Sequence, residues 1–228
     1  MAIGTIGRIK PCKIKLTMDG EHIEQVNEFK YLGVIIDQHL TWKPHIEMVS
    51  NKISRTIGYI NRIKKFLPNS ILILLYNSLI LSYFDYCSTI WGTSADCYIS
   101  RLQKLQNRYA RMILQADIRT SHKLMLSQLG WQSVKQRITY QYNLFTFKII
   151  NDLVPKYLQP LLCFRDIPVF TRNTNPLYFK TPRTEYFNRS FHVHASKLWN
   201  QLPTDIQNIH SLDIFKRESK KVSLNAIS

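Results

Sequence analysis

From Ile71 to Phe84 the chain runs ILILLYNSLILSYF without a charged side chain, and that run limits the possible folds more than any other stretch. As an α-helix it spans roughly 21 Å at 1.5 Å per residue, well short of the roughly 30 Å of a bilayer core. Asn77, Ser78 and Ser82 interrupt it and Asp85 closes it. A buried core helix over about 71–86, with Ser70 as its cap, is expected in preference to a membrane span.

Helical spacing organises much of the rest. Ile46, Val49, Ile53, Ile57 and Ile60 mark one face of a helix that starts near Pro44, reaches about Phe66 and is broken by Pro68. A third helix is expected from Asp96 to about Gln115, with Ile99, Leu102, Leu105, Tyr109, Met112 and Ile113 as its apolar face. A short helix over 122–129 stops at Gly130, and Ser133 with Gln136 forms a capping box for another over 134–151. Further helices are expected near 193–201 and 212–222, and residues 164–190 read as loop with one or two short strands, including LYFKT. At the other end, Lys13–Met18 and His22–Val26 read as strands around an Asp19-Gly20 turn. The following stretch, NEFKYLGVIID, reads as a buried strand with Gly33 inside it. A glycine there marks a bulge, or a place where another backbone or a ligand approaches closely. The fold class is therefore α+β, mostly α, with a small antiparallel strand set followed by helices and a weak boundary near 116–121.

Composition bears on partners. The 31 Lys and Arg against 15 Asp and Glu give a formal net charge of +16, while 45% hydrophobic and 12% aromatic residues exclude a disordered chain. Such a charge favours polyanions, with nucleic acid the commonest and an anionic membrane surface the competitor. Cysteines at 12, 87, 97 and 163 form no CxxC and read as reduced intracellular thiols. Met1–Gly7 carries no secretory signal pattern, so a nuclear or cytoplasmic location without secretion is expected.

The positive charge is patterned. Lys52, Arg55, Tyr59 and Arg62 follow one another at three, four and three residues, and Arg101, Lys104, Arg108 and Arg111 repeat that spacing. At about 100° per residue each set occupies an arc of roughly 80°, away from the apolar face of its helix. No acidic residue falls between Asn51 and Ser70, or between Ile99 and Ala116. Solvated helix faces usually mix signs. Stripes of this kind neutralise phosphates, although a merely solvated surface is the alternative. Tyr59 could stack on a sugar or base, or simply cover core. Arg165, Arg172, Lys180, Arg183 and Arg189 form a second, less ordered basic region.

Motifs that carry chemistry are scarce. There is no adjacent Asp-Asp, DxD, GxSxG, HExxH or phosphate-cradling glycine loop. Asp19 and Glu21 sit on a turn rather than at a two-metal site. His192 and His194 would share one face of a strand, but two histidines alone make a poor metal site, and a surface or partly buried role is expected. No catalytic or metal-ligating set emerges, and the residues by themselves read as a non-enzymatic protein.

The order of motifs nevertheless resembles a known family. FKYLGVIID, HLTWKPHIEMVSNKISRTIGYINRIKKFLP and LYNSLILSYFDYCSTIWG, followed by LGWQSVKQRITYQYNLFTFKIINDLVPKYL, TPRTEYFNRSFHVHASKLWNQLP and SLDIFKR, resemble the C-terminal part of non-LTR, LINE-type reverse transcriptases of the jockey-like kind. The resemblance covers roughly residues 20–218. It implies a palm remnant over 1–40, a helical thumb over 41–120 and a helical C-terminal domain over 121–228 with the basic loop 164–190. Tyr31, Leu32 and Gly33 would correspond to a primer grip, and the helices after them to a thumb on an RNA–DNA or DNA duplex. The magnesium-binding Asp-Asp motif of such polymerases would lie upstream, leaving this chain without a cofactor of its own. The expectation is thus a non-catalytic polymerase fragment that binds RNA or duplex nucleic acid and has the remainder of a polymerase as a possible partner. A host-retained or scaffolding protein with incidental charge is the alternative.

Overall fold

A computed structural model of the chain describes residues 1, 3–4, 16–164 and 177–225. Strands β1 (Leu16–Met18) and β2 (Glu21–Ile23) pair antiparallel, with Thr17 opposite His22. Asp19 (φ 52°) and Gly20 (φ 84°) join them in the two-residue geometry that matches strand twist. Residues 13–15 of the expected first strand lie outside the described residues.

The stretch NEFKYLGVIID departs from expectation. It is a hairpin: β3 (Glu28–Tyr31) pairs antiparallel with β4 (Val34–Asp37), Tyr31 opposite Val34. Leu32 (φ 44°) and Gly33 (φ 83°) form the turn between them. Two consecutive left-handed residues reverse the chain instead of bulging it. Strand β3 is exposed along its length, and only Val34 and Asp37 of β4 are buried.

The Asp37 side chain then fixes the way into the first long helix. Its carboxylate accepts hydrogen bonds from the backbone N–H of His39 (3.2 Å), Thr41 (3.0 Å) and Trp42 (2.8 Å), and from the Thr41 hydroxyl (3.0 Å). Burial pushes the Asp37 pKa up, but these bonds outweigh it and hold it below the ordinary value. Helix α1 (Lys43–Ile63) starts at once, with Pro44 in its first turn.

After a 3-10 turn at Lys64–Phe66 come α2 (Asn69–Leu75), a π-helical turn at Tyr76–Ile80 and α3 (Leu81–Asp85). Pro68 rather than Ser70 precedes the first turn, and no side chain caps it. The apolar run is buried on one side only. Leu72, Tyr76, Ile80 and Phe84 are enclosed, whereas Leu74 and Leu79 are 59% and 44% exposed. No described helix is long and apolar enough to cross a membrane.

Helix α4 (Ser88–Trp91) leads through Gly92 to α5 (Asp96–Leu114), which lies along α1. Helix α6 (His122–Leu129) ends at Gly130, and α7 (Val134–Ile150) opens on the Ser133–Gln136 capping box with both of its hydrogen bonds made. Strands β5 (Cys163–Phe164) and β6 (Leu177–Tyr178) pair, and α8 (Glu185–Asn188), α9 (Phe191–Asn200), α10 (Thr204–Gln207) and α11 (Leu212–Asn225) complete the described chain. His192 and His194 lie on helix α9, not a strand, because the apolar pattern there has helical period. His192 Nδ1 meets the Leu161 carbonyl at 3.0 Å, and the His194 ring packs edge-on to Tyr142.

One apolar cluster runs from Ile46 on α1 through Phe84, Tyr109 and Phe147 to Phe215 on α11. Trp131 stacks on Tyr76 with ring centroids 3.6 Å apart. Gln106, almost wholly buried, donates to the Tyr76 hydroxyl (2.7 Å) and the Gln132 carbonyl (2.9 Å). Buried polar groups left unpaired would be destabilising, so this pairing lets a glutamine sit in the core.

Candidate nucleic-acid interface

Both basic stripes lie on the surface sides of their helices. On α1, Lys52, Arg55, Tyr59 and Arg62 are exposed, while Ile46, Val49, Ile53, Ile57 and Ile60 fill the core. Tyr59 is 65% exposed, so it does not cover core. On α5, Arg101, Lys104 and Arg108 are exposed, and Arg111 is half-buried with its Nε enclosed and making no hydrogen bond.

The stripes are less free of acid than the local sequence implies. Glu47 of α1, outside either acid-free window, lies 3.7 Å from Arg101 of α5. That pair brings the start of the α5 stripe to the helix that carries the other one. Both side chains are about half exposed, so the contact contributes little, about 0.2–1 kcal/mol, and a phosphate can compete for the guanidinium.

Tyr31 and Leu32 project at the hairpin tip, 59% and 73% exposed. The Tyr86 hydroxyl, just beyond α3, donates to the Leu32 carbonyl at 2.6 Å. This bond helps hold a leucine in a left-handed conformation that such residues rarely adopt. A Cβ on Gly33 would touch the Tyr86 ring at 3.4 Å, and the local φ of 83° already disfavours a side chain there.

Behind the tip lies a groove of about 390 Å³ lined by Gly33, His45, Met48, Lys52, Tyr83 and Tyr86 among others. The turn glycine and the first lysine of the α1 stripe therefore share one site. Lys52 Nζ sits 5.7 Å from the centroid of the Tyr83 ring. His45 Nδ1 faces the Ile35 backbone N–H at 3.4 Å, a long contact. Burial, then the charge of Lys52, lowers the His45 pKa to about 4, which keeps the ring neutral near pH 7.

The second basic region is described only in part. Arg165 and Arg172 lie outside the described residues. Lys180 and Arg183 are exposed, whereas Arg189 turns towards Tyr186, 5.3 Å from its ring centroid, and lies 3.6 Å from Glu185. Among the described residues no group of three or more His, Cys, Asp or Glu could hold a metal ion. They thus offer no fit to the magnesium site that the resemblance implies.

His45, Tyr83 and Tyr86 escape sequence reasoning. Tyr83 belongs to the apolar run that reads as core and Tyr86 lies just beyond it, and Tyr86 meets Leu32 with all of α1, α2 and α3 between them in the chain. The one available signal is their position at the edge of the apolar face instead of its centre.

Comparison with known proteins finds relatives among polymerases of mobile elements. The chain is 31% identical over 96 residues to a probable RNA-directed DNA polymerase from transposon X-element of Drosophila melanogaster, covering 40% of this chain and 10% of that protein. It is 24% identical over 139 residues to the corresponding protein of transposon BS from the same organism, covering 59% of this chain and 15% of that one. It is 28% identical over 103 residues to the RNA-directed DNA polymerase from mobile element jockey of Drosophila funebris, covering 43% and 11%. Its relatives are polymerases of mobile elements. The resemblance to non-LTR retrotransposon reverse transcriptases is borne out at that level, and each match takes in only 10% to 15% of the relative's length. No protein-family model and no solved structure matches the chain.

The same relatives correct the non-enzymatic reading. They are named as RNA-directed DNA polymerases. A missing carboxylate pair in one stretch is no ground for placing the chain outside an enzyme class.

Proposed function

We propose that this chain is part of a retrotransposon RNA-directed DNA polymerase and holds the sugar–phosphate backbone of a nucleic-acid duplex through the basic faces of α1 and α5. On this reading the hairpins within residues 1–40 occupy the place of the palm, 41–120 that of the thumb, and 121–228 form the C-terminal region. Tyr31, Leu32 and Gly33 stand where the primer grip would be. One observation carries the reading: Gly33 at the hairpin tip and Lys52 at the head of the α1 stripe line the same groove. The +16 charge and the polymerase relatives support it.

Cationic contacts of this kind release counterions, so affinity should fall steeply with salt. They fix position on the duplex without reading its sequence. The test is binding of a fluorescent RNA–DNA hybrid, followed by anisotropy at several salt concentrations. Changing Arg101, Lys104, Arg108 and Arg111 together to Gln should weaken binding by at least tenfold and flatten the salt dependence. Unchanged affinity would remove α5 from the interface, and capture of a specific protein without hybrid binding would favour a scaffold.

A further inference from the structure

We propose that the groove between the β3–β4 tip and the helices α1 and α3 takes a single unpaired nucleotide, with its base against the Tyr83 ring and its phosphate at the Lys52 ammonium. This rests on the duplex-binding reading and adds a ligand unit and residues that the reading does not contain.

Three features of the groove define that ligand. The first is chemical composition. The lining includes two phenol rings, a methionine and one lysine, and no carboxylate. An aromatic face stacks any base without regard to sequence, and the adjacent ammonium suits the phosphate attached to it. The second is charge. His45 is neutral near pH 7, which leaves Lys52 as the one cation of the lining and matches one phosphate. The third is size. About 390 Å³ lies near the lower end of the roughly 300–1,000 Å³ range of small-ligand sites, room for one nucleotide unit.

The walls are fixed before any ligand arrives. Tyr86 is tied to the Leu32 carbonyl at 2.6 Å, and its ring lies against Gly33. Tyr86 is therefore a positioning residue, and Tyr83 and Lys52 are the contact residues. A site formed in advance loses less entropy on binding.

The test uses the full chain and RNA–DNA hybrids carrying one 2-aminopurine, as a single-nucleotide 3′ overhang, as a 5′ overhang or paired in the interior. Free 2-aminopurine nucleoside monophosphate forms a fourth arm. Stacking quenches the fluorophore. Quenching of an overhang but not of the paired base supports the proposal and assigns the strand end. Comparable quenching of the free nucleotide supports it with a free nucleotide as the source. Tyr83→Leu should abolish the quench, and Tyr83→Trp should restore it. A quench that survives Tyr83→Leu, or none in any arm, would overturn the proposal. Loss of salt-sensitive hybrid binding with the free nucleotide still quenched would sink the duplex reading and leave the groove standing.

Discussion

Arg137 of α7 closes two hydrogen bonds on the carboxylate of Asp85 at the end of α3, Nε to Oδ1 at 2.6 Å and Nη2 to Oδ2 at 2.7 Å. The two side chains are 19% and 27% exposed, so this forked pair is drier than the other ion pairs among the described residues. It joins helices separated by α4, α5 and α6 along the chain. Removing the guanidinium leaves a carboxylate with little access to water, so Arg137→Met should destabilise the fold by about 1.5–3 kcal/mol. Urea unfolding of the variant and of the double variant with Asp85→Leu gives the check: the second change should recover part of the loss.

A pH dependence follows from His45. Burial, then Lys52, lowers its pKa from 6.5 to about 4. Between those values the unfolded chain holds the proton and the folded chain does not, so stability falls with falling pH. The contribution is complete above pH 6.5 and is lost as pH drops towards 4. Each unit of separation is worth about 1.4 kcal/mol, and allowing for solvent screening the loss is on the order of 2 kcal/mol. Melting temperatures of the wild type and His45→Gln between pH 7 and pH 4 should converge as the pH falls, and parallel curves would exclude His45 as the cause.

Gly92 marks a tight contact. A Cβ there would run into the Ser88 carbonyl oxygen and reach Ile138 Cγ2 of α7 at 2.5 Å. One contact is with backbone, which cannot swing aside. Gly92→Ala should cost about 1–3 kcal/mol through overpacking, lowering the melting temperature by several degrees in a thermal scan. The same substitution at Gly58, which has open space around it, should be neutral or mildly stabilising and serves as the control.

Much of the fold is legible in the sequence where local chemistry decides it. The Asp19-Gly20 turn, Pro44 at the start of α1, Gly130 after α6 and the Ser133–Gln136 box each act within a few residues, and each appears where expected. The hairpin at Leu32-Gly33 is harder to read, because part of what holds Leu32 in its left-handed state is Tyr86, more than fifty residues away. The stripes are legible as faces, since spacing fixes which residues share a side. Their neutralisation is not: Glu47 reaches Arg101 from another helix. The groove could not be read at all, because its walls come from a turn and two helices that only the tertiary fold brings together.

The π-helical turn at Tyr76–Ile80 has a geometric consequence. Leu72, Tyr76, Ile80 and Phe84 point into the core at intervals of four. In a regular α-helix such a series would wind off the core by about 40° at every step. The wider π turn takes up most of that slippage, as a leap day keeps a calendar in phase with the seasons. Were the same residues wound at ordinary α pitch instead, everything beyond the turn would swing by about 100°. Phe84 would then leave the interior and Tyr83 and Tyr86 would leave the groove, so the wider turn, by absorbing one surplus residue, keeps both the core and the hairpin's support in register.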